Sequence, residues 1–366
     1  MGDYVRRLAV AVAQQGHETA AVALRDSFVG QETDGMQEQD GGRVPVLRLP
    51  GAWGSRQRLR RARAWLADFN PAWVSLQFVP YAYHPKGLPL RLARQLRPLV
   101  HGRQVHVMMH ETWVGAEAHA PLRRRLLARL QRALTQYLLQ KLRPAVLHTH
   151  LPAYQTQLAA LGWPARPLPL FSNIPTVPAQ TMAAALAPAG FRVGIFSQAD
   201  KREVLADFLR ALDAALAGRG RPLQVLLIGG PAAAMSALQA MLEIEAGLRG
   251  RVRHTGFLEP GPLSEALQSC DLGLTPVPRY AVGKSGSTAA FLAHRRPVAA
   301  PTVHWGTAPE DIGFFAASLR AAIVVAPDLQ AIAIAQTAAQ LAPELLRVST
   351  IAQLFADDLA QSVPHP

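Results

Sequence analysis

A short segment near residue 285 combines the residue types that hold phosphate groups in proteins. It reads GKSGST over residues 283–288 and leads into an apolar stretch, AAFLAH. Glycines let the backbone turn tightly, a serine or threonine caps the helix that follows, and the first amide groups of that helix face outward with a partial positive charge. The candidate diphosphate-binding residues are Gly283, Lys284, Ser285, Gly286, Ser287 and Thr288.

The spacing of this segment is not that of a P-loop, which requires a glycine five residues before Gly283. Pro278 stands there, so a nucleoside triphosphatase is excluded. We expect a diphosphate site at a helix start; the competing interpretation is an ordinary helix cap beside a surface lysine. Lys201 is a second phosphate candidate, because it follows the apolar segment FRVGIFS and precedes a helical pattern. Its competing interpretation is a solvated surface lysine.

Histidines end two apolar segments of the first half. His110 ends QVHVMMH and is followed by Glu111. A residue at the carboxyl end of a strand in an open α/β sheet points towards the ligand crevice, where a neutral imidazole can accept a hydroxyl proton. A core or capping histidine is the alternative. His148 and His150 share one strand face, but no third metal ligand is identifiable, so a structural or cleft-lining role is favoured over metal binding.

Short apolar segments alternate with helical patterns along the whole chain. The segments are continuously hydrophobic, as in strands covered on both faces, and this alternation predicts parallel, doubly wound sheets. They are residues 19–24, 44–49, 73–79, 104–110, 145–150, 166–171, 191–197, 223–230, 252–258, 271–277, 296–301 and 321–327.

A length of 366 residues predicts two domains. Proline and glycine punctuate residues 173–190, so we place the boundary near residue 180, with domains 1–180 and 181–366. A last helical segment, near residues 343–362, follows the final strand and is expected to pack back on the first domain. Residues 1–15 predict a helix where a doubly wound domain normally opens with a strand, so the first strand is expected to be missing.

The positive charge is concentrated in the first half. The net charge is +13, and residues 1–180 hold 23 Lys and Arg against 10 Asp and Glu. Two arginine-rich segments, residues 55–66 and 121–142, contribute most of it, and the second keeps leucines at helical spacing. This is compatible with contact with an anionic membrane surface. Two alternatives remain: the basic face of the helix is simply solvated, or the many arginines reflect the amino-acid usage of a GC-rich genome. The sequence has no basic segment interleaved with aromatic residues, so nucleic-acid binding is not favoured.

The single cysteine, Cys270, excludes an internal disulfide, and no apolar run has the length of a membrane span. No signal peptide is recognised at the start of the chain. We expect a cytoplasmic protein that associates peripherally with the inner face of the membrane.

Four segments resemble those of GT-B glycosyltransferases of the retaining family 4. They are GDYVRRLAVAVAQQGHE (2–18), HETWVG (110–115), FSQADKREVLADFLRAL (196–212) and VRHTGFLEPGPLSEALQSCDLGLTPV (252–277). The resemblance implies an α/β fold of two Rossmann-like domains facing across a cleft. It also implies transfer of a sugar from a UDP- or GDP-linked donor to a hydroxyl of a glycan, lipid-linked or small-molecule acceptor, with retention and without a metal or a separate cofactor.

The resemblance also implies roles for individual residues. His110 and Glu111 would act at the reacting sugar, and Gly2 would lie in a loop that approaches the donor phosphate. Gly229, Phe257 and Leu258 would hold the nucleotide base and ribose.

The family usually has two glutamates eight positions apart, but here these positions fall near Val282 and Ala290. Two alternatives therefore stay open: a non-catalytic binding or assembly protein, and a nucleotide-sugar epimerase.

Overall fold

The computed structural model describes residues 2–114, 121–178, 190–198, 202–303 and 311–362. The chain divides into two compact units. The first contains Met1–Leu168 together with Val348–Pro366, and the second contains Pro169–Arg347. The division therefore falls before the boundary near residue 180 that the proline and glycine pattern suggests. No helix in the described ranges has the length and apolar character needed to cross a bilayer.

The first unit alternates strands and helices and contains two sheets. In chain order its elements are α1 (Gly2–Ala13), β1 (Ala21–Asp26), β2 (Thr33–Gln39), β3 (Gly42–Pro50), α2 (Ser55–Phe69), β4 (Trp73–Phe78), α3 (Pro80–Tyr83), α4 (Leu92–Val100), β5 (Gln104–Met109), α5 (Leu122–Leu142), β6 (Val146–Thr149), α6 (Pro152–Ala159) and β7 (Arg166–Pro167). One sheet has the order β1-β3-β2, and the other is β4-β5-β6-β7. The resemblance implied that Gly2 lies in a loop before the first helix. In the structure Gly2 is instead the first residue of α1.

The strand β2 departs from the all-parallel expectation, because it pairs antiparallel with β3. Its sequence, TDGMQEQ, is mostly polar and exposed, so it lacks the apolar run that marks the other strands. Asp40 and Gly41 join the two strands with positive φ values of 50° and 74°, as a tight hairpin turn requires. Hairpin geometry, and not burial, therefore accounts for this strand.

The second unit contains one parallel sheet of six strands. Its elements are β8 (Phe191–Phe196), α7 (Arg202–Leu216), β9 (Leu223–Ile228), α8 (Ala232–Glu245), β10 (Val252–His254), α9 (Pro260–Gln268), β11 (Leu272–Leu274), α10 (Gly286–Ala293), β12 (Val298–Ala299), α11 (Ala317–Ala321), β13 (Ile323–Val324), α12 (Leu329–Ala339) and α13 (Ala342–Leu345). The order β10-β9-β8-β11-β12-β13 is that of a doubly wound parallel sheet. A final helix, α14 (Val348–Ala360), belongs to the first unit and packs on α1.

Two glycines seat α10 on this sheet. A Cβ atom at Gly194 on β8 would lie 2.8 Å from the ring of Phe291, and one at Gly273 on β11 would lie 2.5 Å from it. Phe291 belongs to α10 and is buried. Because both strands leave room for this ring, the helix packs directly across β8 and β11, which fixes where its first residues lie.

Candidate functional site

The sheet order of the second unit indicates where a ligand can bind. In an open parallel sheet the ligand crevice lies outside the carboxyl ends of the strands, at the point where the strand order reverses. Here that point lies between β8 and β11, which are hydrogen-bonded neighbours. The residues after these two strands meet there, because the Thr275 hydroxyl donates to Gln198 Oε1 at 2.8 Å. Neither residue stands out in the sequence.

The helix α10 starts on the same edge of the sheet, because it is the crossover from β11 to β12. Ser285 is its N-cap and accepts a hydrogen bond from the Thr288 amide at 3.3 Å. The next two amides, those of Gly286 and Ser287, have no acceptor within the described ranges, and Gly286 is exposed. Two donors at the positive end of a helix form an anion-binding arrangement.

The structure gives the six residues of the segment different environments. Gly283 and Ser285 are buried, and Lys284 is half-buried beside the helix start. The Thr288 hydroxyl oxygen is buried and has no hydrogen-bond partner among the described residues. Because the Thr288 side chain is completely buried, it is not accessible to a ligand at the helix start. The usable donors are therefore the Gly286 and Ser287 amides.

The three residues expected around the base and ribose also differ in exposure. Phe257 follows β10 and is 83% exposed, whereas Leu258 is half-buried and packs against the core of the unit. Gly229 follows β9 with a φ of 59°, and its amide donates to the Thr255 hydroxyl at 3.1 Å. Only Phe257 of the three offers a free ring face to a base. Lys201 lies outside the described residues.

In the first unit, one face of the sheet β4-β5-β6-β7 carries a row of polar side chains. Their alternate positions on neighbouring strands bring them to the same face. They are Ser75, Gln77, His106, His110, His148 and His150. His148 and His150 share a face, as their spacing predicts. No group of three metal-ligating side chains occurs in the described part of the chain.

His110 follows β5, and both of its ring nitrogens are engaged. Its Nε2 lies 2.8 Å from Gln77 Oε1, and its Nδ1 lies 2.9 Å from His150 Nε2. The ring of Tyr4 on α1 meets that of His110 edge-on, with centroids 5.0 Å apart. Glu111, the next residue, is half-buried. Both ring nitrogens of His110 therefore contact protein groups. To hydrogen-bond a ligand directly, His110 would have to give up its hydrogen bond to Gln77.

Comparisons with known proteins identify the fold. No protein-family model matches the sequence, and no curated protein matches it. Among solved structures, sucrose-phosphate synthase from Thermosynechococcus elongatus is 16% identical over 98% of this chain and 92% of that one, with a TM-score of 0.58. HepE from Anabaena, in complex with UDP and glucose, is 15% identical over 99% and 96%, also at 0.58.

A third neighbour is named for a different reaction. A UDP-N-acetylglucosamine 2-epimerase from Listeria monocytogenes is 10% identical over 100% of this chain and 94% of that one, with a TM-score of 0.54. The synthase and HepE are GT-B glycosyltransferases with two Rossmann-like domains. The fold class predicted from the sequence is confirmed: this chain has the α/β fold of the GT-B glycosyltransferases.

Proposed function

We propose that this protein is a glycosyltransferase of the family 4 type, which moves a sugar from a nucleotide-sugar donor to an acceptor hydroxyl. The observation that carries the proposal is the pair of open amides at the start of α10, on the carboxyl edge of a doubly wound sheet. The nucleotide-sugar is a substrate, UDP- or GDP-linked, and no further cofactor is invoked. HepE with bound UDP and glucose supports a UDP-linked donor.

The chemistry follows from the charge that develops on the leaving group. As the bond from the sugar to the diphosphate breaks, negative charge grows on the diphosphate oxygens. The Gly286 and Ser287 amides, the positive end of α10, and Lys284 would stabilise that charge without a metal ion. Retention would then need no protein nucleophile. His110, held by Gln77 and His150, would orient a hydroxyl and would not attack the sugar.

A second candidate is a binding protein that performs no transfer. Val282 and Ala290, where the family usually has glutamates, are both completely buried and belong to the core. No carboxylate can therefore reach the ligand from these positions. An epimerase remains a third candidate on the same fold.

A thermal-shift panel of nucleoside diphosphates and nucleotide-sugars tests the proposal. We expect one nucleotide-sugar and its diphosphate to raise the melting temperature, and the same sugar donor to be consumed only when an acceptor is added. Donor consumption without acceptor indicates an epimerase or hydrolase. Stabilisation without any turnover indicates the binding protein, and indifference to the whole panel contradicts nucleotide binding.

Phe257 provides a test of the base-binding part of the site. Because its ring is 83% exposed beside the carboxyl edge, we expect it to stack on the nucleotide base. Phe257→Ala should weaken nucleotide binding about tenfold, since aromatic stacking on a base contributes about 1–3 kcal/mol. Phe28→Ala, which removes a 91% exposed ring from the first unit, is the matched control and should leave affinity unchanged. Equal affinities for both variants would exclude stacking by Phe257.

We also propose that α5 binds an anionic membrane surface. Leu122, Leu126 and Leu130 are 82%, 60% and 48% exposed and follow one face of the helix. The exposed arginines around them are Arg123, Arg124, Arg125, Arg129 and Arg132. In the other arginine-rich helix, α2, Arg61 pairs with Glu32 and Asp34, so part of its charge is used within the unit. The exposed leucines therefore favour α5 as the membrane-binding helix.

Vesicle sedimentation tests this surface. We expect the protein to bind vesicles that contain phosphatidylglycerol and not vesicles of phosphatidylcholine alone. The double variant Leu122→Ser with Leu126→Ser should weaken binding about tenfold or more, because each buried leucine contributes about 1.5–3 kcal/mol. Ile244→Ser, at a 71% exposed site in the second unit, is the control. Unchanged binding by the double variant would rule out α5.

A further inference from the structure

The polar face of the first unit forms one continuous chain of hydrogen bonds, which we call the histidine chain. It consists of the Leu168 carbonyl, His150, His110, Gln77, Ser75, His106, His148 and the Asp358 carboxylate. The seven contacts between these groups measure 2.8–3.0 Å. His106, His148 and His150 are almost completely buried. Asp358 reaches the chain from α14, more than two hundred residues away in sequence.

The ends of the histidine chain set its proton count. A carbonyl at one end and a carboxylate at the other can only accept, so every contact between them needs a proton from an inner group. Each neutral imidazole supplies one such proton, as do the Ser75 hydroxyl and the Gln77 amide. The six inner groups thus supply one proton fewer than the seven contacts need. Full hydrogen bonding requires one proton beyond the neutral state.

The Gln77 side chain decides where that proton resides. Its Nε2 donates to Ser75 Oγ at 2.8 Å, and its Oε1 accepts from His110 Nε2. Donation therefore runs from Gln77 through Ser75, His106 and His148 to Asp358. On this side each imidazole needs only its one neutral proton. The additional proton lies on the other side of Gln77, between His110 Nδ1 and His150 Nε2, which are 2.9 Å apart.

Burial also disfavours a charge on the two rings on the Asp358 side of Gln77. It lowers the pKa of His106 well below 6.5, and the nearby His148 and His110 rings lower it further. Burial also lowers the pKa of His148, although the Asp358 carboxylate opposes this. If the Gln77 side-chain amide had the opposite orientation, the additional proton would have to lie on His106, on His148 or on Asp358. Within the described ranges, the other polar groups beside the histidine chain include Arg166, which pairs with Asp358, the phenol of Tyr4, and Glu111, which follows His110 in sequence.

We infer that His110 and His150 share one proton as an imidazolium–imidazole pair, and that Asp358 is the positioning residue that keeps it there. The proton count stands on geometry alone, whereas its importance for sugar transfer rests on the function proposed above. Asp358 acts at a distance, because its acceptor character orients His148, His106, Ser75 and Gln77 in turn. The cation at the end of β5 thus depends on a carboxylate of the last helix.

Asp358→Asn tests the inference with little change in size. An asparagine amide can donate to His148, so the chain then has a donor at that end and needs no additional proton. Long-range nitrogen–proton NMR of the imidazoles at pH 7.5 should show one shared imidazolium in the wild type and four neutral rings in Asp358→Asn. Asp357→Asn, an exposed neighbour on the same helix with the same charge change, should match the wild type.

The wild-type spectrum decides the question even if Asp358→Asn fails to fold: four neutral rings at His106, His110, His148 and His150 would overturn the inference. In a transfer assay, the high-pH limb of the rate profile should move down by about one pH unit or more in Asp358→Asn and stay in place in Asp357→Asn. A charged pair in a protein without transferase activity would leave this inference intact and refute only the proposed function.

Discussion

We expect Gly286→Asp to weaken nucleotide diphosphate binding about a hundredfold or more while the second unit stays folded. The aspartate would place a carboxylate where the diphosphate should lie, and would remove access to two amide donors that contribute about 1.5–3 kcal/mol each to an anion. A Cβ atom at this position has no heavy atom within 4 Å, and acidic residues in the first turn of a helix are stabilising. Isothermal titration calorimetry and thermal melting measure the two effects separately.

Gly286→Ala is the matched control, because it adds the same Cβ without the charge. It should bind the diphosphate like the wild type and melt at a similar temperature. If Gly286→Asp also binds like the wild type, the start of α10 is not the diphosphate site. If both variants lose binding equally, steric exclusion and not charge accounts for the loss.

The second large effect that we expect is acid destabilisation of the first unit. His106 and His148 have lowered pKa values because they are buried, whereas in the unfolded chain they return towards 6.5. Below pH 6.5 the unfolded state therefore binds protons that the folded state does not, and folding stability falls as the pH falls. A ring that is neutral in the folded state and charged in the unfolded state costs about 1.4 kcal/mol per pH unit, about tenfold in the unfolding equilibrium. Above pH 6.5 neither ring contributes to this slope.

Hydrogen exchange between pH 7 and pH 5, read from peptides of the first unit, measures this slope. Reading the first unit alone separates it from His294, a buried histidine of the second unit whose pKa is also lowered. His106→Gln should make the slope shallower, by up to about tenfold per pH unit. His101→Gln, at an exposed position, should leave it unchanged. A flat response of the wild type would mean that the buried rings are already charged at neutral pH.

The fold was largely predictable because burial leaves a direct signature in the sequence. Each of the twelve apolar segments overlaps a strand, although β7, β12 and β13 have only two residues each. The polar strand β2 escaped because its partner and its turn, and not its own hydrophobicity, hold it in the sheet. The division of the first unit into two sheets was also not predictable. It depends on which strands pair with each other, and no local sequence pattern specifies that pairing.

The candidate site was predictable only where local residues define it. The cap at Ser285 and the helix after it follow from GKSGST, and His110 follows from the end of an apolar run. The partners of His110 were not predictable, because Gln77 and Asp358 look like ordinary surface residues in the sequence. They reach the histidines through strand register and through the packing of α14. The packing of Phe291 on Gly194 and Gly273 is equally non-local.

The membership of α14 in the first unit has a consequence for biosynthesis. A ribosome completes Pro169–Arg347 before it has made the helix that carries Asp358. During translation the second unit can therefore fold while the first still lacks one of its layers, with the imidazoles on β5 and β6 uncovered. The portion made first should reach its native state last, and a nascent chain arrested shortly before residue 348 should expose that polar face to proteases and chaperones.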